Sequence, residues 1–289
     1  KLTYEDGDEF YKNKFNLIVQ KQINHLINEI EKSKLVDDKM VGCAAIILTG
    51  LSLNEKEKYL NFGLSILKKI IDFSFDNQGF PKSRSIKQLI FCLKYFVLIR
   101  AWLKESQSEI PEYLDEIIFY LGKSYSILCQ GKSKTILFNG NHETDSKNFD
   151  SYLNNHGYKF KSNSFETGGY IFLKNKKINL IMDIGSSPEK KFSKNYQCGA
   201  LSFEIISNDK KLICNSGYFQ KTKHKLNDIS KSSANHSTLI IDNHSSCKIN
   251  TSTMEIENAL KILNKNFVME KNYWNISASH DGYSKQYGV

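Results

Sequence analysis

The first half of the chain carries apolar residues at the spacing of α-helices. Between residues 15 and 31 they recur every three or four positions, which makes one face of a helix apolar and the other polar. Residues 40–51 are apolar on most sides, as expected of a helix packed between neighbours. Ser85 can cap one helix and Pro111 fits the first turn of another. The pattern predicts helices at residues 15–31, 40–51, 55–73, 86–103 and 112–128.

The periodicity changes near Cys129. From there the chain has short runs rich in β-branched and aromatic residues, separated by Asn, Gly, Lys and Ser, with turns predicted at residues 174–177 and 207–210. Short strands about ten residues apart are typical of an antiparallel sandwich or barrel. The predicted strands are residues 134–138, 169–173, 178–184, 200–206, 211–215, 236–241 and 274–278.

Helices followed by strands, without alternation, predict an α+β multidomain protein. We place a helical domain at residues 1–130 and an antiparallel β-domain at residues 131–289. The chain opens at Lys1 without an initiator Met and stops at Val289 within a predicted strand. We therefore expect a piece trimmed at both ends, which leaves the export signal open.

The chain has a formal net charge of +9, which would suit a polyanion such as an acidic sugar or a nucleic acid. The basic residues are nearly all Lys and are spread along the chain, which favours solvated faces over one binding patch. No basic block carries the aromatic interleaving of a nucleic-acid reader. No apolar run reaches the roughly 18 to 20 residues that a membrane span needs. We predict neither a nucleic-acid partner nor a membrane span.

Six cysteines lie far apart, without a CxxC pair, which argues against a zinc ribbon or a redox motif. The composition favours buried thiols that act as small hydrophobic side chains. A disulfide between distant strands stays open at this point.

Four local motifs could carry chemistry, and each has a structural alternative. The alternative is a polar turn after a strand for residues 137–143 and a structural hairpin for residues 196–204 with 214–218. It is a structural His at the start of a strand for residues 233–242 and a turn between strands for residues 279–283. The last motif offers both a titrating imidazole and a phenol. The motifs are residues 137–143 (LFNGNHE), 196–204 with 214–218 (YQCGALSFE and CNSGY), 233–242 (SANHSTLIID) and 279–283 (SHDGY).

Together and in this order, these motifs resemble heparinase II/III-like proteins, from about residue 77 to residue 289. The resemblance implies the C-terminal part of an incomplete (α/α) toroid followed by an antiparallel β-sandwich. It also implies a polysaccharide lyase that cleaves a uronic-acid-containing polysaccharide, heparin-, heparan- or alginate-like, by β-elimination.

The resemblance also implies the site residues. His280 would be the acid or base, Tyr283 its partner, and His236 a further catalytic candidate. The predicted substrate contacts are Asn139, Asn141, His142 and Arg84.

The sequence departs from the family pattern at several positions. Phe80 stands where relatives often have His. Some members bind zinc through a His, Asp, His set, and these positions fall on Gln197, Asn215 and His236. Zinc prefers His, thiolate or carboxylate ligands, so one imidazole with two neutral amides is a poor site. We predict no metal and no cofactor.

The departures keep a second hypothesis open: a non-catalytic carbohydrate-binding or cell-envelope protein that retains the lyase fold. A third, nucleic-acid binding, rests on charge alone and would show steep salt dependence. The resemblance implies an acidic polysaccharide partner and a periplasmic or cell-envelope location. The oligomeric state stays open.

Overall fold

The computed structural model describes residues 8–53, 56–131, 135–142, 146–219, 224–270 and 273–288. The helices within these residues are α1 (Glu9–Glu29), α2 (Val36–Ser52), α3 (Lys56–Ser74), α4 (Ile86–Glu105), α5 (Glu112–Leu128), α6 (Lys147–Asn155), α7 (Leu226–Lys231) and α8 (Ser284–Tyr287). The strands are β1 (Glu166–Thr167), β2 (Tyr170–Lys174), β3 (Ile178–Asp183), β4 (Phe203–Ser207), β5 (Lys210–Ile213), β6 (Ile262–Met269) and β7 (Trp274–His280).

The chain divides into two compact units. The first comprises the residues up to Ser74 and Phe91–Ile118, and the second comprises Phe75–Ile90 and Phe119–Val289. These units divide the chain differently from the predicted domains at 1–130 and 131–289. The second unit takes in the segment before α4 and the end of α5 as well as every strand.

The five predicted helices are confirmed by α1 to α5, with their ends shifted by a few residues. Glu55, the first residue of the third predicted helix, lies outside the described residues. Ser85 caps α4, since its Oγ accepts a hydrogen bond from the Gln88 amide. Within the first unit, α2 and α3 approach closely at Gly50. A Cβ at this position would lie 2.6 Å from the Leu60 backbone nitrogen, so only glycine fits there.

The second unit contains two antiparallel sheets. The larger has five strands in the order β1-β2-β3-β4-β5, and the smaller is the hairpin of β6 and β7. Ile171 and Leu173 on β2 belong to a buried cluster that also contacts Phe267 on β6 and Trp274 on β7. The hairpin therefore packs against a face of the larger sheet, as in a sandwich. Helices followed by antiparallel sheets confirm the predicted α+β class.

Both predicted turns are confirmed, because each carries the local chemistry that closes a hairpin. Asn175 Oδ1 accepts the backbone amides of Lys177 and Ile178 between β2 and β3. Asn208 and Asp209, between β4 and β5, both have positive φ angles.

The prediction of a strand at residues 236–241 is wrong. Side chains, rather than a strand ladder, satisfy the backbone around this segment. The Ser237 amide donates to Asn215 Oδ1 at 3.1 Å, and Ser237 Oγ accepts the Phe203 amide at 3.1 Å. Thr238 Oγ1 donates to the Ala200 carbonyl. The segment is thus attached at the start of β4 without joining the sheet.

The prediction of a strand at residues 134–138 is also wrong for residues 135–138, and Lys134 lies outside the described residues. The buried carboxylate of Glu204 takes the place of a neighbouring strand here. It accepts the amide of Leu137 at 3.2 Å and that of Asn215 at 3.0 Å. The sequence pattern did not predict α6, α7, α8, β1 or β6, and α8 lies near the end of the chain, where a strand was expected.

Candidate active site

A cavity of about 750 Å³ in the second unit is lined by His236, His280 and Tyr283. His280 is the last residue of β7, Tyr283 precedes α8, and His236 follows a 3-10 turn at Ser233–Asn235. The three catalytic candidates from the sequence therefore meet at one opening. Most of the other lining side chains are apolar, among them Met182, Leu201, Phe203, Ile213 and Leu239.

His236 is a neutral imidazole with an unused ring nitrogen. The residue is only 9% exposed, and its buried Nε2 has no hydrogen-bond partner. Burial lowers its pKa to about 4, and a hydrogen bond to the Ser230 backbone acts in the opposite direction. Because Nε2 is unpaired, that bond uses Nδ1 and leaves the Nε2 lone pair as an acceptor. Gly199 permits this packing, since a Cβ there would lie 3.0 Å from His236 Cγ.

In His280 the two ring nitrogens have the opposite roles to those in His236. Its Nδ1 accepts the backbone amide of Gly282 at 3.0 Å, so in the neutral ring Nε2 carries the proton. Partial burial lowers its pKa, and the charge of Asp281 opposes the shift. Gly282 is required at this turn because a Cβ would lie 2.5 Å from the Ser246 carbonyl oxygen and 2.9 Å from His280 Nδ1.

The hydroxyl of Tyr283 is already engaged. It lies 3.0 Å from the backbone carbonyl oxygens of both Leu239 and His244, and the side chain is 4% exposed. Burial raises the pKa of this phenol. Its ring lies beside that of His280, with centroids 5.7 Å apart. These contacts correct the expectation of Tyr283 as a proton-transfer partner, because a phenol whose proton is held by carbonyls is a poor base.

Arg84 does not meet the expectation of a substrate contact. Its side chain is almost completely buried, and its backbone has a φ of 57°. The guanidinium donates five hydrogen bonds, to the carbonyl oxygens of Gly168, Gly169, Gly185 and Ser186 and to Asp183 Oδ1. An arginine has five N–H donors, so nothing remains for a ligand.

Asn139 and Asn141 are corrected for the same reason, as each is 2% exposed. Asn139 Nδ2 donates to Asp183 Oδ2 at 3.1 Å and also to the Tyr170 hydroxyl. Asn141 Nδ2 donates to the Ile136 carbonyl at 2.7 Å. Both amides hold the loop that follows residues 135–138.

His142 is exposed, although it does not line the cavity of His236 and His280. Glu143, the last residue of that motif, lies outside the described residues.

The residues at the family's zinc positions do not fit a zinc ion. Gln197 uses its whole amide as a cross-link: Oε1 accepts the Gly140 amide at 3.1 Å, and Nε2 donates to the carbonyls of Gly217 and Ser230 at 3.0 and 2.7 Å. Asn215 Oδ1 accepts the Ser237 amide. Only His236 retains a free ligand atom. The described residues hold no group of three or more His, Cys, Asp or Glu side chains that could bind a metal.

The sequence reasoning missed the buried groups that shape this region. Asp183 and Tyr170 hold Arg84 and Asn139, and Glu204 holds two backbone amides. Glu204 stood within a motif but had no role, and Asp183 ends an apolar run without a local signal. Their partners are remote in the chain, so no local pattern reveals them.

The comparisons with known proteins agree with this architecture. A family model described as Heparinase II/III-like, C-terminal, matches residues 159–289. These residues are similar to the C-terminal domain of heparinase II/III-like proteins. No curated protein sequence matches the chain. The family model does not cover the helical segments before residue 159, and their likeness to known proteins comes from solved structures.

Three solved structures share the fold. A heparinase III with methylated lysines is 14% identical, with a TM-score of 0.72, over 91% of this chain and 44% of its own. A mutant of the heparan sulfate lyase HepC from Pedobacter heparinus is 13% identical, with a TM-score of 0.71, over 91% and 44%. Another heparinase III is 15% identical, with a TM-score of 0.69, over 94% and 49%. The chain thus spans about half the length of each. Among the described residues, no helix is long and apolar enough to cross a membrane.

Proposed function

We propose that the protein is part of a polysaccharide lyase that cleaves a uronic-acid-containing polysaccharide by β-elimination. The observation that carries the proposal is that two imidazoles of opposite hydrogen-bonding state, His236 and His280, line one cavity within the residues that match the family model. One ring offers a lone pair and the other offers an N–H, which are the two functions that an elimination requires.

The reaction removes the proton at C5 of the uronate, forms the C4–C5 double bond and breaks the bond from C4 to the glycosidic oxygen, which takes up a proton. His236 is the proton acceptor, because it is uncharged at neutral pH and its Nε2 is unpaired. A pKa of about 4 makes it a weak base in the empty cavity. A substrate carboxylate beside the ring raises that pKa, since a negative charge favours the imidazolium form.

His280 is the donor. Its Nε2 proton can neutralise the charge that builds on the carboxylate as C5 loses its proton, or it can reach the leaving oxygen. In the apolar surroundings of this cavity such a hydrogen bond is stronger than in water. Tyr283 acts through His280 as a positioning residue, because its ring contacts the imidazole and its hydroxyl is held by two carbonyls.

The test compares His236→Ala and His280→Ala with the unaltered protein on a panel of acidic polysaccharides, by the ultraviolet absorbance of the unsaturated uronate product. Each variant should lose at least about 100-fold in turnover, the usual size of a general acid–base contribution. His280→Ala should keep its melting temperature because the side chain is only partly buried. His142→Ala is the matched control, since this exposed imidazole does not line the cavity.

A specific observation favours a second candidate, a carbohydrate-binding protein without activity. Arg84, Asn139 and Asn141 are buried, and the Tyr283 hydroxyl is engaged, so few polar groups are left to act on a sugar. This candidate predicts no absorbance change with any polysaccharide, together with saturable binding of one of them. Turnover that survives in both histidine variants would refute the catalytic assignment. A periplasmic or cell-envelope location belongs to the same proposal.

A further inference from the structure

Two cysteine sulfur atoms lie in contact in the second unit. Cys198 Sγ and Cys247 Sγ are 3.2 Å apart, although the residues are separated by 49 positions in the chain. Both side chains are buried, whereas Cys214 is exposed. The spacing of the cysteines along the sequence does not reveal this pair, because only the loop after residue 243 brings Cys247 to Cys198.

The two cysteines lie at the wall of a second cavity. A separate cavity of about 300 Å³ is lined by both cysteines and by Lys231, His244 and Lys248. The Lys231 carbonyl accepts the Cys198 amide at 2.8 Å, and its buried ammonium donates to the carbonyls of Lys194 and Met254.

The two thiols are hydrogen-bonded to each other and to the backbone. The Cys247 thiol donates to Cys198 Sγ at 3.2 Å, and this hydrogen bond together with burial raises the pKa of Cys247. The Cys198 thiol donates to the Cys247 carbonyl oxygen, also at 3.2 Å. Two thiols held in this contact can be joined once either of them is oxidised.

We propose that Cys198 and Cys247 form a reversible dithiol–disulfide pair that closes under oxidation by hydrogen peroxide. The sulfur of one cysteine, as the thiolate, attacks a peroxide oxygen, which breaks the O–O bond and gives a sulfenic acid and hydroxide, and the displaced thiol proton converts the hydroxide to water. The thiol of the other cysteine then attacks the sulfenic sulfur, forms the S–S bond and releases the sulfenic oxygen as water. The balance is two thiols and one peroxide giving one disulfide and two waters, and a dithiol reductant reverses the bond.

The bond would brace the wall of the candidate active site. Gly199, next to Cys198, lies against the His236 ring, and the His244 carbonyl, near Cys247, accepts the Tyr283 hydroxyl. Ser246 Oγ already donates to the Cys198 carbonyl at 3.2 Å. Closing the disulfide adds a covalent link to these contacts, so the oxidised protein should have a higher melting temperature.

The experiment treats the reduced chain with hydrogen peroxide, blocks remaining thiols under denaturing conditions, and maps the peptides by mass spectrometry without reduction. We expect a linked pair of peptides containing Cys198 and Cys247, with the loss of two hydrogen atoms, that dithiothreitol reverses. Cys214→Ser serves as the background, because it removes the exposed thiol that could exchange with the pair. Both thiols remaining free, after a dose that fully oxidises Cys214 in the unaltered chain, would overturn the proposal.

A second measurement follows the melting temperature before and after oxidation. The rise should occur in Cys214→Ser and disappear when Cys247→Ser is added. A rise that persists without Cys247 would contradict the assignment. If the double variant does not fold, the peptide map of the unaltered chain still tests the proposal. Neither measurement depends on lyase activity, so the disulfide and the proposed function succeed or fail separately.

Discussion

The guanidinium of Arg84 donates a 2.6 Å hydrogen bond to Asp183 Oδ1, across 99 positions of the chain. Asp183 Oδ2 accepts Asn139 Nδ2 at 3.1 Å, and the Arg84 Cζ lies 4.8 Å from the centre of the Tyr170 ring. The ion pair therefore joins the segment before α4, the loop at residue 139 and the end of β3. Arg84 and Asn139, which the sequence predicted to be substrate contacts, therefore stabilise the second unit.

Replacing Arg84 by Ala should destabilise the protein strongly. The change leaves the Asp183 carboxylate buried without its cation and removes the donors to four backbone carbonyls. Breaking a buried ion pair by removing one partner typically costs about 3–5 kcal/mol. The free energy of unfolding, measured by urea titration, should fall by that amount.

Arg100 provides the matched control, because it is the only other arginine of the chain. It pairs with Asp115 where the two side chains are 30% and 50% exposed. Solvent-exposed pairs contribute about 0–1 kcal/mol, so Arg100→Ala should have a small effect. An equal loss of stability in the two variants would contradict the structural role of Arg84.

The variant Tyr283→Phe tests whether the Tyr283 hydroxyl has a structural or a catalytic role. The change removes the O–H that the carbonyls of Leu239 and His244 share, and it keeps the ring beside His280. An unsatisfied buried polar group costs about 1–3 kcal/mol, so the melting temperature should fall. The kcat per folded molecule should change less than tenfold, with KM nearly constant. A large loss of kcat at unchanged stability would instead make the phenol a catalytic group.

The stability of the protein should depend on the titration of His236. Its pKa is lowered to about 4 in the folded state, against an ordinary value of 6.5. Between these values the unfolded chain binds a proton that the folded chain does not, so stability decreases as the pH falls through this window. The contribution is complete above pH 6.5, and its loss amounts to about 3 kcal/mol at most by linkage.

The measurement is urea unfolding of the unaltered protein and of His236→Gln between pH 4 and pH 7, a range that contains both the folded and the ordinary pKa of His236. Glutamine does not titrate, so the variant should show a flatter profile. His142→Ala again serves as the control because that imidazole is exposed. Parallel profiles for the unaltered protein and His236→Gln would show that His236 is not the titrating group.

Zinc should not bind at the family position. The Gln197 side-chain amide forms hydrogen bonds with the backbone of Gly140, Gly217 and Ser230, and these bonds connect three segments without a metal. Dialysis against a chelator should leave the melting temperature unchanged, and elemental analysis should find less than stoichiometric zinc. Zinc retained at one ion per chain, with destabilisation on its removal, would refute this prediction.

The sequence by itself determined where α1 to α5 lie and where the two hairpin turns after β2 and β4 fall. Both follow from neighbouring residues, through the 3.6-residue apolar period of α1 to α5 and the Asn-containing turns at Asn175 and Asn208. The sequence also identified His236 and His280 as candidates, because each lies in a short motif that resembles a motif of the family.

Only the tertiary structure decided what those side chains can do. Residues 135–138 and 236–241 look like strands, yet Glu204 and Ser237 replace the ladder from remote parts of the chain. Arg84 looks like a free cation until Asp183 is placed beside it. A polar group is available to a ligand only if no neighbour has already satisfied it, and those neighbours are chosen by packing across the fold rather than by adjacent residues.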